Sequence, residues 1–90
     1  MRELSYSSQF KKDHKRVQKQ GKDLAELNEV ITRLVAGETL DEKYKDHPLR
    51  GNYVGTRDCH IDPDWLLIYR ITGNELHLVR MGSHAEVFKK

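Results

Sequence analysis

Residues 57–65, with the sequence RDCHIDPDW, concentrate side chains that could carry out chemistry. They include the carboxylates of Asp58 and Asp64, the imidazole of His60 and the only tryptophan of the chain, Trp65. Four of the five histidines lie in the same half of the chain: His47, His60, His77 and His84. Because imidazoles titrate near neutral pH, the sequence predicts that this half holds a site able to move protons.

Two other kinds of site are not favoured by the pattern. Cys59 and His60 are neighbours on a predicted strand, so their side chains point to opposite faces and cannot form a nucleophile and base pair. His60, Asp62 and Asp64 have no established metal-ligand spacing, and the turn at Pro63 is expected to separate the two aspartates. The sequence therefore predicts no metal site and no cofactor, and it places Cys59 in the core.

The remaining chemical groups suit the cleavage of RNA. Removing a proton from a ribose 2'-OH and delivering one to the departing 5'-oxygen requires a general base and a general acid, and the charged transition state requires a cation. Aromatic rings can hold an unstacked base. The candidate set is His47, Asp58, His60, Asp64, Trp65, Arg80, His84 and Phe88. Residue types alone leave a second interpretation open, in which these are ordinary polar surface groups.

The N-terminal half predicts a hairpin of two helices. The first follows an N-cap at Ser7 or Ser8 and ends at Gly21. Its apolar positions at helical spacing are Phe10, His14 and Val17. The second begins at a capping box of Asp23 and Glu26. Its apolar stripe, which we expect to be buried, comprises Leu24, Leu27, Val30, Ile31, Leu34 and Val35.

The C-terminal half predicts strands. A polar surface loop over residues 38–52 leads into a strand from Tyr53, on which Asp58 and His60 share a face because side chains alternate along a strand. The other predicted elements are a first strand near the N-terminus at 2–5, a central strand at 65–71, a third meander strand at 75–81 and a short turn or helix at 84–88.

These elements predict an α+β fold in a single domain over residues 1–90. A small antiparallel β-sheet is expected to carry the N-terminal helical hairpin packed on one face, with a short C-terminal helix. The mean hydropathy of -0.80 and the lack of a long apolar run give no sign of a membrane span, and no secretory signal is recognisable. We therefore expect a cytoplasmic protein.

The charge distribution predicts a basic helix surface. The net charge is only +2, but the stretch from 11 to 22 contains six Lys or Arg residues and a single acid, Asp13. Such a surface attracts phosphates, although a solvated helix face has the same composition. The lysines that we expect to contact phosphates are Lys11, Lys15 and Lys19.

Three blocks of the sequence resemble the RelE/ParE superfamily of bacterial toxins, in particular its YafQ branch. They are YKDHPLRG at 44–51, RDCHIDPDWLLIY at 57–69 and RMGSHAEVF at 80–88. The resemblance implies a RelE-like fold and the toxin half of a type II toxin-antitoxin pair. It also implies an endoribonuclease, or mRNA interferase, that acts on mRNA in the ribosomal A site and is held inactive by a cognate antitoxin.

The same resemblance implies roles for the candidate residues. By this resemblance, His84 corresponds to the general acid. His60 or His47, paired with Asp64, corresponds to the general base. Arg80 resembles the group that stabilises phosphate charge, while Asp58, Trp65 and Phe88 resemble supports for the substrate and the site. The alternative from the same superfamily is a ParE-like toxin that inhibits DNA gyrase by binding it, which would have no need for the imidazoles.

Overall fold

The computed structural model describes residues 1–88. Lys89 and Lys90, the end of the predicted domain, lie outside the described residues. In chain order the elements are β1 (Glu3–Tyr6), α1 (Ser8–Lys19), α2 (Ala25–Val35), a 3-10 turn (Glu42–Tyr44), β2 (His47–Pro48), a second 3-10 turn (Gly51–Tyr53), β3 (Arg57–Asp62), β4 (Trp65–Thr72), β5 (Glu75–Gly82) and α3 (His84–Phe88). Within residues 1–88, none of the helices has the length and apolar character needed to cross a bilayer.

The five strands form one sheet in the order β1-β5-β4-β3-β2. The predicted meander is confirmed, because β3, β4 and β5 pair antiparallel in succession with β4 at the centre. The strand β1 pairs parallel with β5, so the sheet is mixed. A parallel pair requires a long connection, which the helical hairpin and the rest of the chain supply. The α+β class with a helical hairpin and a short C-terminal helix is confirmed.

The two helices of the hairpin begin differently. The N-cap of α1 is Ser7, whose hydroxyl accepts a hydrogen bond from the Phe10 amide at 2.9 Å, as predicted. The predicted capping box of α2 is wrong: Leu24 occupies the N-cap, and Asp23 accepts from the Ala25 amide at 2.9 Å. Of the six residues in the α2 stripe, Leu27, Val30 and Leu34 are buried. Leu24, Ile31 and Val35 are half-buried, since the helix exposes one side.

The strand predicted from Tyr53 begins at Arg57 instead. Tyr53 ends a 3-10 turn, and Gly55 has a φ of 89°, a left-handed conformation that interrupts an extended chain. From Arg57 onward the alternation holds. Asp58 pairs with Ile68 and His60 with Leu66, so the two polar residues share a face as predicted.

Cys59 lies on the opposite face, within the main core. That core joins the helices to one side of the sheet, and Cys59 is fully buried in it. Burial raises the pKa of its thiol because the thiolate would lose its hydration, with a smaller contribution from the charges of Asp46 and Asp58. The prediction that Cys59 is a packing residue is confirmed.

Candidate active site

Three histidines from three separate segments lie side by side at one edge of the sheet. The ring centroids of His47 and His60 are 6.3 Å apart, and those of His60 and His84 are 5.5 Å apart. Here His47, His60 and His84 are called the imidazole row. His47 comes from β2, His60 from β3 and His84 from the first residue of α3. The structure thus brings together three residues whose first and last members are 37 positions apart in the sequence.

A backbone carbonyl fixes the orientation of the His47 ring. Its Nδ1 lies 2.7 Å from the carbonyl oxygen of Lys45. A carbonyl only accepts, so Nδ1 carries a hydrogen and a neutral ring leaves Nε2 free to take a proton. The turn that carries Lys45 is itself anchored, because the Asp46 carboxylate accepts from Arg57 Nε at 2.9 Å and from the Tyr69 hydroxyl at 2.6 Å.

Asp58 lies beneath the row as a buried carboxylate. Only 3% of it is exposed, and its Oδ2 is 3.8 Å from His47 Nε2. Its Oδ1 has no hydrogen-bond partner among residues 1–88. Burial raises the pKa of Asp58, against the opposing effect of positive charge on the three imidazoles. Asp58 therefore supports the imidazoles from inside and offers little surface to a substrate.

Asp64 pairs with a different histidine from the one expected. Its Oδ1 is 3.4 Å from Nδ1 of His84, whereas the prediction paired it with His60 or His47. That part of the prediction is wrong because the turn after β3 directs Asp64 toward α3, away from β2. Both members of the pair are open to solvent, with side chains 50% and 79% exposed.

Two aromatic rings extend the row beyond His84. The ring centroid of Phe88 lies 6.2 Å from that of His84, and Tyr53 meets Phe88 edge-on at 5.7 Å. The Tyr53 hydroxyl donates to the Val87 carbonyl at 3.2 Å, which ties the second 3-10 turn to α3. Tyr53 was not among the candidate residues, because the predicted alternation placed it on the strand face opposite Asp58 and His60.

Arg80 reaches the site from β5 with its guanidinium already engaged. Its Nε is 3.2 Å and its Nη2 is 3.3 Å from the two carboxylate oxygens of Asp13, and its side chain is only 15% exposed. Hydrogen bonding to Asp13 raises the pKa of Arg80, and Tyr53 contributes in the same direction. The guanidinium is therefore a permanent cation held in one place.

Asp13 is the main residue that the sequence analysis missed. It is fully buried on α1, where the buried positions are Phe10, Asp13 and Val17 and His14 is half-buried. A signal was present, since Asp13 is the single acid in the basic stretch and lies at helical spacing from Phe10 and Val17. A lone acid there is more simply explained as part of a solvated face.

Trp65 lies at the start of β4 with its side chain in the main core. It is 3% exposed, and Lys22 Nζ lies 5.7 Å from its ring centroid. The role of Trp65 toward the substrate stays a prediction, and its burial favours support of the turn that carries Asp64.

The lysines form a surface on α1. All three are exposed and spaced four residues apart, so they lie along one side of the helix: Lys11, Lys15 and Lys19. Their neighbours belong to a groove of about 520 Å³ between β1, α1 and α2, to which Lys11 and Lys15 contribute. None of the three histidines of the imidazole row lines this groove.

The arrangement gathers three imidazoles and two aromatic rings, one of which, Tyr53, also neighbours the held guanidinium of Arg80. A recess of about 380 Å³ adjoins His60, and its walls carry the cations Lys43 and Lys45 together with the acids Glu26 and Asp62. Within the part of the chain that the structure describes, no cluster of three His, Cys, Asp or Glu side chains is arranged to hold a metal ion. The site can donate and accept protons and stabilise negative charge.

Comparisons with known proteins give matches that extend over nearly the whole chain. A family described as "Bacterial toxin of type II toxin-antitoxin system, YafQ" matches residues 2–89. The mRNA interferase toxin YafQ of Escherichia coli (strain K12) is 44% identical over 88 residues, covering 97% of this chain and 96% of that protein. In the crystal structure of the E. coli DinJ-YafQ complex, a chain 44% identical superposes with a TM-score of 0.91, covering 98% of this chain and 99% of that one. A metal-bound toxin from Helicobacter pylori is 46% identical with a TM-score of 0.91, covering 98% and 100%.

Proposed function

The chain belongs to the YafQ family of toxins from type II toxin-antitoxin systems, and we propose that it is an mRNA interferase whose imidazole row and Arg80 cut messenger RNA on the ribosome. The observation that carries the proposal is the meeting of His47, His60 and His84 at one edge of the sheet. A toxin that only bound DNA gyrase would have no use for three converging imidazoles.

The proposed reaction is an internal transfer. The ribose 2'-oxygen forms a bond to the adjacent phosphorus while the bond from phosphorus to the 5'-oxygen breaks, leaving a 2',3'-cyclic phosphate on the upstream fragment. The 2'-hydroxyl proton passes to a general base, and a general acid supplies a proton to the departing 5'-oxygen. No metal ion takes part in this scheme.

His84 is assigned as the general acid. Its Nδ1 lies 3.4 Å from Oδ1 of Asp64, so the carboxylate can orient the ring toward the departing oxygen. His60 lies at 5.5 Å from His84, close enough for the two rings to flank one phosphate, and His47 presents a free Nε2 beyond it. The base is therefore His60 or His47, with Asp58 beneath to stabilise the proton that it gains.

Arg80 supplies the cation for the transition state. Charge accumulates on the nonbridging phosphate oxygens as the phosphorane-like species forms, and a guanidinium already held in place stabilises it without reorganisation. Phe88 and Tyr53 provide ring surfaces beside His84, on which the base of a nucleotide can stack at the cut.

The basic surface of α1 is proposed to bind ribosomal RNA. Lys11, Lys15 and Lys19 lie away from the imidazoles, so their phosphate contacts would supply affinity while leaving the chemistry to the other edge. This assignment places the protein in the cytoplasm, where translating ribosomes are found.

A cognate antitoxin is proposed to occupy the groove between β1, α1 and α2. The groove combines apolar walls with Lys11, His14 and Lys15, and Leu4 and Tyr6 on its β1 side remain 45% and 48% exposed. That pattern fits an acidic amphipathic segment, which buries apolar side chains and pairs its acids with the lysines. The complex of the E. coli relative with DinJ supports a protein partner of this kind.

The deciding experiment follows cleavage of a ribosome-bound message by the purified protein. The expected result is cutting of an all-RNA message with a 2',3'-cyclic phosphate on the upstream fragment, and EDTA should not abolish the chemical step as long as the ribosome is kept intact. The same message with a single 2'-deoxy sugar at the cut position should stay intact. Cleavage of the 2'-deoxy message at that position would overturn the mechanism, and inhibition of gyrase supercoiling without any RNA cleavage would favour the rival function.

A further inference from the structure

We infer that Asp13 is a positioning residue for the cleavage reaction, acting through Arg80. The inference rests on the proposed function, because it concerns how the phosphate-stabilising guanidinium is held. Asp13 comes from α1, an element that contributes no side chain to the imidazole row. The helical hairpin thereby sets the place of a group in the site on the sheet.

The Asp13 carboxylate is itself fixed from several directions. It is fully buried, and in addition to Arg80 it accepts from the Met81 amide at 3.1 Å, from Arg16 Nη1 at 2.8 Å and from Gln9 Nε2 at 3.0 Å. Burial alone would raise the pKa of Asp13, but the hydrogen bonds outweigh burial and lower it. The group is thus a permanent, immobile anion.

The geometry of the Arg80 contact fixes the guanidinium as a plane. Two of its nitrogens, Nε and Nη2, meet the two oxygens of Asp13 at 3.2 and 3.3 Å. A guanidinium is rigid and planar, so two bonds on one side determine where the remaining nitrogen, Nη1, points. A single point contact would leave rotation about the last side-chain bonds.

Arg16 completes the anchor and lies against the strand end at Gly82. Its Nη2 donates to the Met81 carbonyl at 2.9 Å, and its Nε lies 3.0 Å from Glu86 Oε2, an ion pair without the geometry of a hydrogen bond. A Cβ at Gly82, whose φ is 155°, would lie 2.6 Å from Arg16 Nη2. The strand end that follows Arg80 is therefore shaped around the same cluster.

The test is a double-mutant cycle on single-turnover cleavage of ribosome-bound message, using Asp13→Asn, Arg80→Ala and the two combined. Asp13→Asn should lower the rate at saturating protein by about 10- to 100-fold, the size expected for a misplaced catalytic group, and change the half-saturating concentration by less than about twofold. In the Arg80→Ala background the same change should have less than about a twofold effect. Glu29→Gln, which breaks an exposed pair with Arg33 at 2.9 Å on α2, is the matched control and should leave the rate unchanged.

The outcomes are separable. Equal losses of rate in the wild-type and Arg80→Ala backgrounds would show a general structural role and overturn the inference. A higher cleavage rate in the Asp13→Asn variant would also overturn it, because Asp13 would then merely neutralise the charge of Arg80. A wild-type protein that cuts no RNA would instead defeat the proposed function itself. If Asp13→Asn fails to fold, hydrogen exchange of the Arg80 Nε proton in the wild type decides: exchange at least about tenfold slower than for the exposed Arg50 and Arg70 is expected, and equal exchange would overturn the inference.

Discussion

Nε2 of His47 lies 3.8 Å from Oδ2 of Asp58, a carboxylate buried beneath the imidazole row. The protein has a second buried carboxylate, Asp13, but the two are held in opposite ways. Asp13 is surrounded by donors that lower its pKa, whereas Asp58 has a raised pKa and one oxygen without a hydrogen-bond partner among residues 1–88. One acid therefore serves as a fixed anchor, and the other can share a proton with the site.

Asp58→Asn should change how stability depends on pH. The folded protein retains the Asp58 proton at a pH above the ordinary value of 3.8, at which the unfolded chain has already released it. The folded state therefore binds more protons in that interval, so this residue makes stability fall as the pH rises through it. Urea unfolding should be measured at several pH values from about 4 to 6. The free energy of unfolding of the Asp58→Asn variant should rise relative to that of the wild type as the pH rises. A difference that stays constant, or one matched by the exposed Glu75→Gln, would contradict this.

His84→Ala should lose about 10²- to 10⁴-fold in single-turnover rate, the usual worth of a general acid. Because an acid is needed only to protonate a poor leaving group, a message with sulfur in place of the 5'-oxygen at the cut should restore most of that loss. His77→Ala, which removes a histidine that contacts Ser5 away from the site, serves as the control and should cleave normally. Persistent loss with the sulfur leaving group would remove His84 from the acid role.

Replacing Lys11, Lys15 and Lys19 together with glutamine should weaken binding to the ribosome. Each phosphate contact that is lost reduces the dependence of affinity on salt, so the slope of log affinity against log salt should flatten by up to about three. Cleavage of message that is already bound should continue. Ribosome sedimentation across a salt series provides the measurement, and the same loss of charge at Lys22, Arg33 and Arg70 is the control. An unchanged slope would leave α1 without a role in binding.

Cys59→Ser should destabilise the fold and leave the cleavage rate intact. A hydroxyl buried at this fully enclosed position would lack a partner, at a cost of about 1–3 kcal/mol in the free energy of unfolding. Cys59→Ala avoids the buried hydroxyl and should cost less. Chemical denaturation and single-turnover cleavage of the three proteins separate the effects, and a large loss of rate in the folded serine variant would reopen a role for the thiol.

Leu4→Ser combined with Tyr6→Ser should weaken the antitoxin complex while preserving cleavage. Both side chains are about half exposed on the β1 wall of the groove, so a bound segment would bury them. The expected loss of affinity is about 10- to 100-fold, measured by calorimetry with the co-encoded antitoxin. Val54→Ser, which alters an exposed apolar residue outside the groove, is the comparison. Full affinity in the double variant would place the antitoxin elsewhere.

The sequence by itself determined what depends on neighbours along the chain. The N-cap at Ser7, the central strand at 65–71 and the shared face of Asp58 and His60 follow from local periodicity and capping, which act over a few residues. The interruption of the predicted strand at Gly55 could not be predicted in this way, because alternation alone does not show that a glycine has adopted a left-handed conformation. The residue types in the site, and their resemblance to a toxin family, were also available from the sequence.

Only the tertiary structure decided which distant residues meet. The pairing of Asp64 with His84, the inward position of Trp65 and the contact of Asp13 with Arg80 depend on strand register and on how the helices dock on the sheet. Asp13 and Arg80 are 67 positions apart, and no local pattern predicts a contact at that separation. A buried ion pair forms only where packing excludes water from both partners, so its existence is a property of the assembled core.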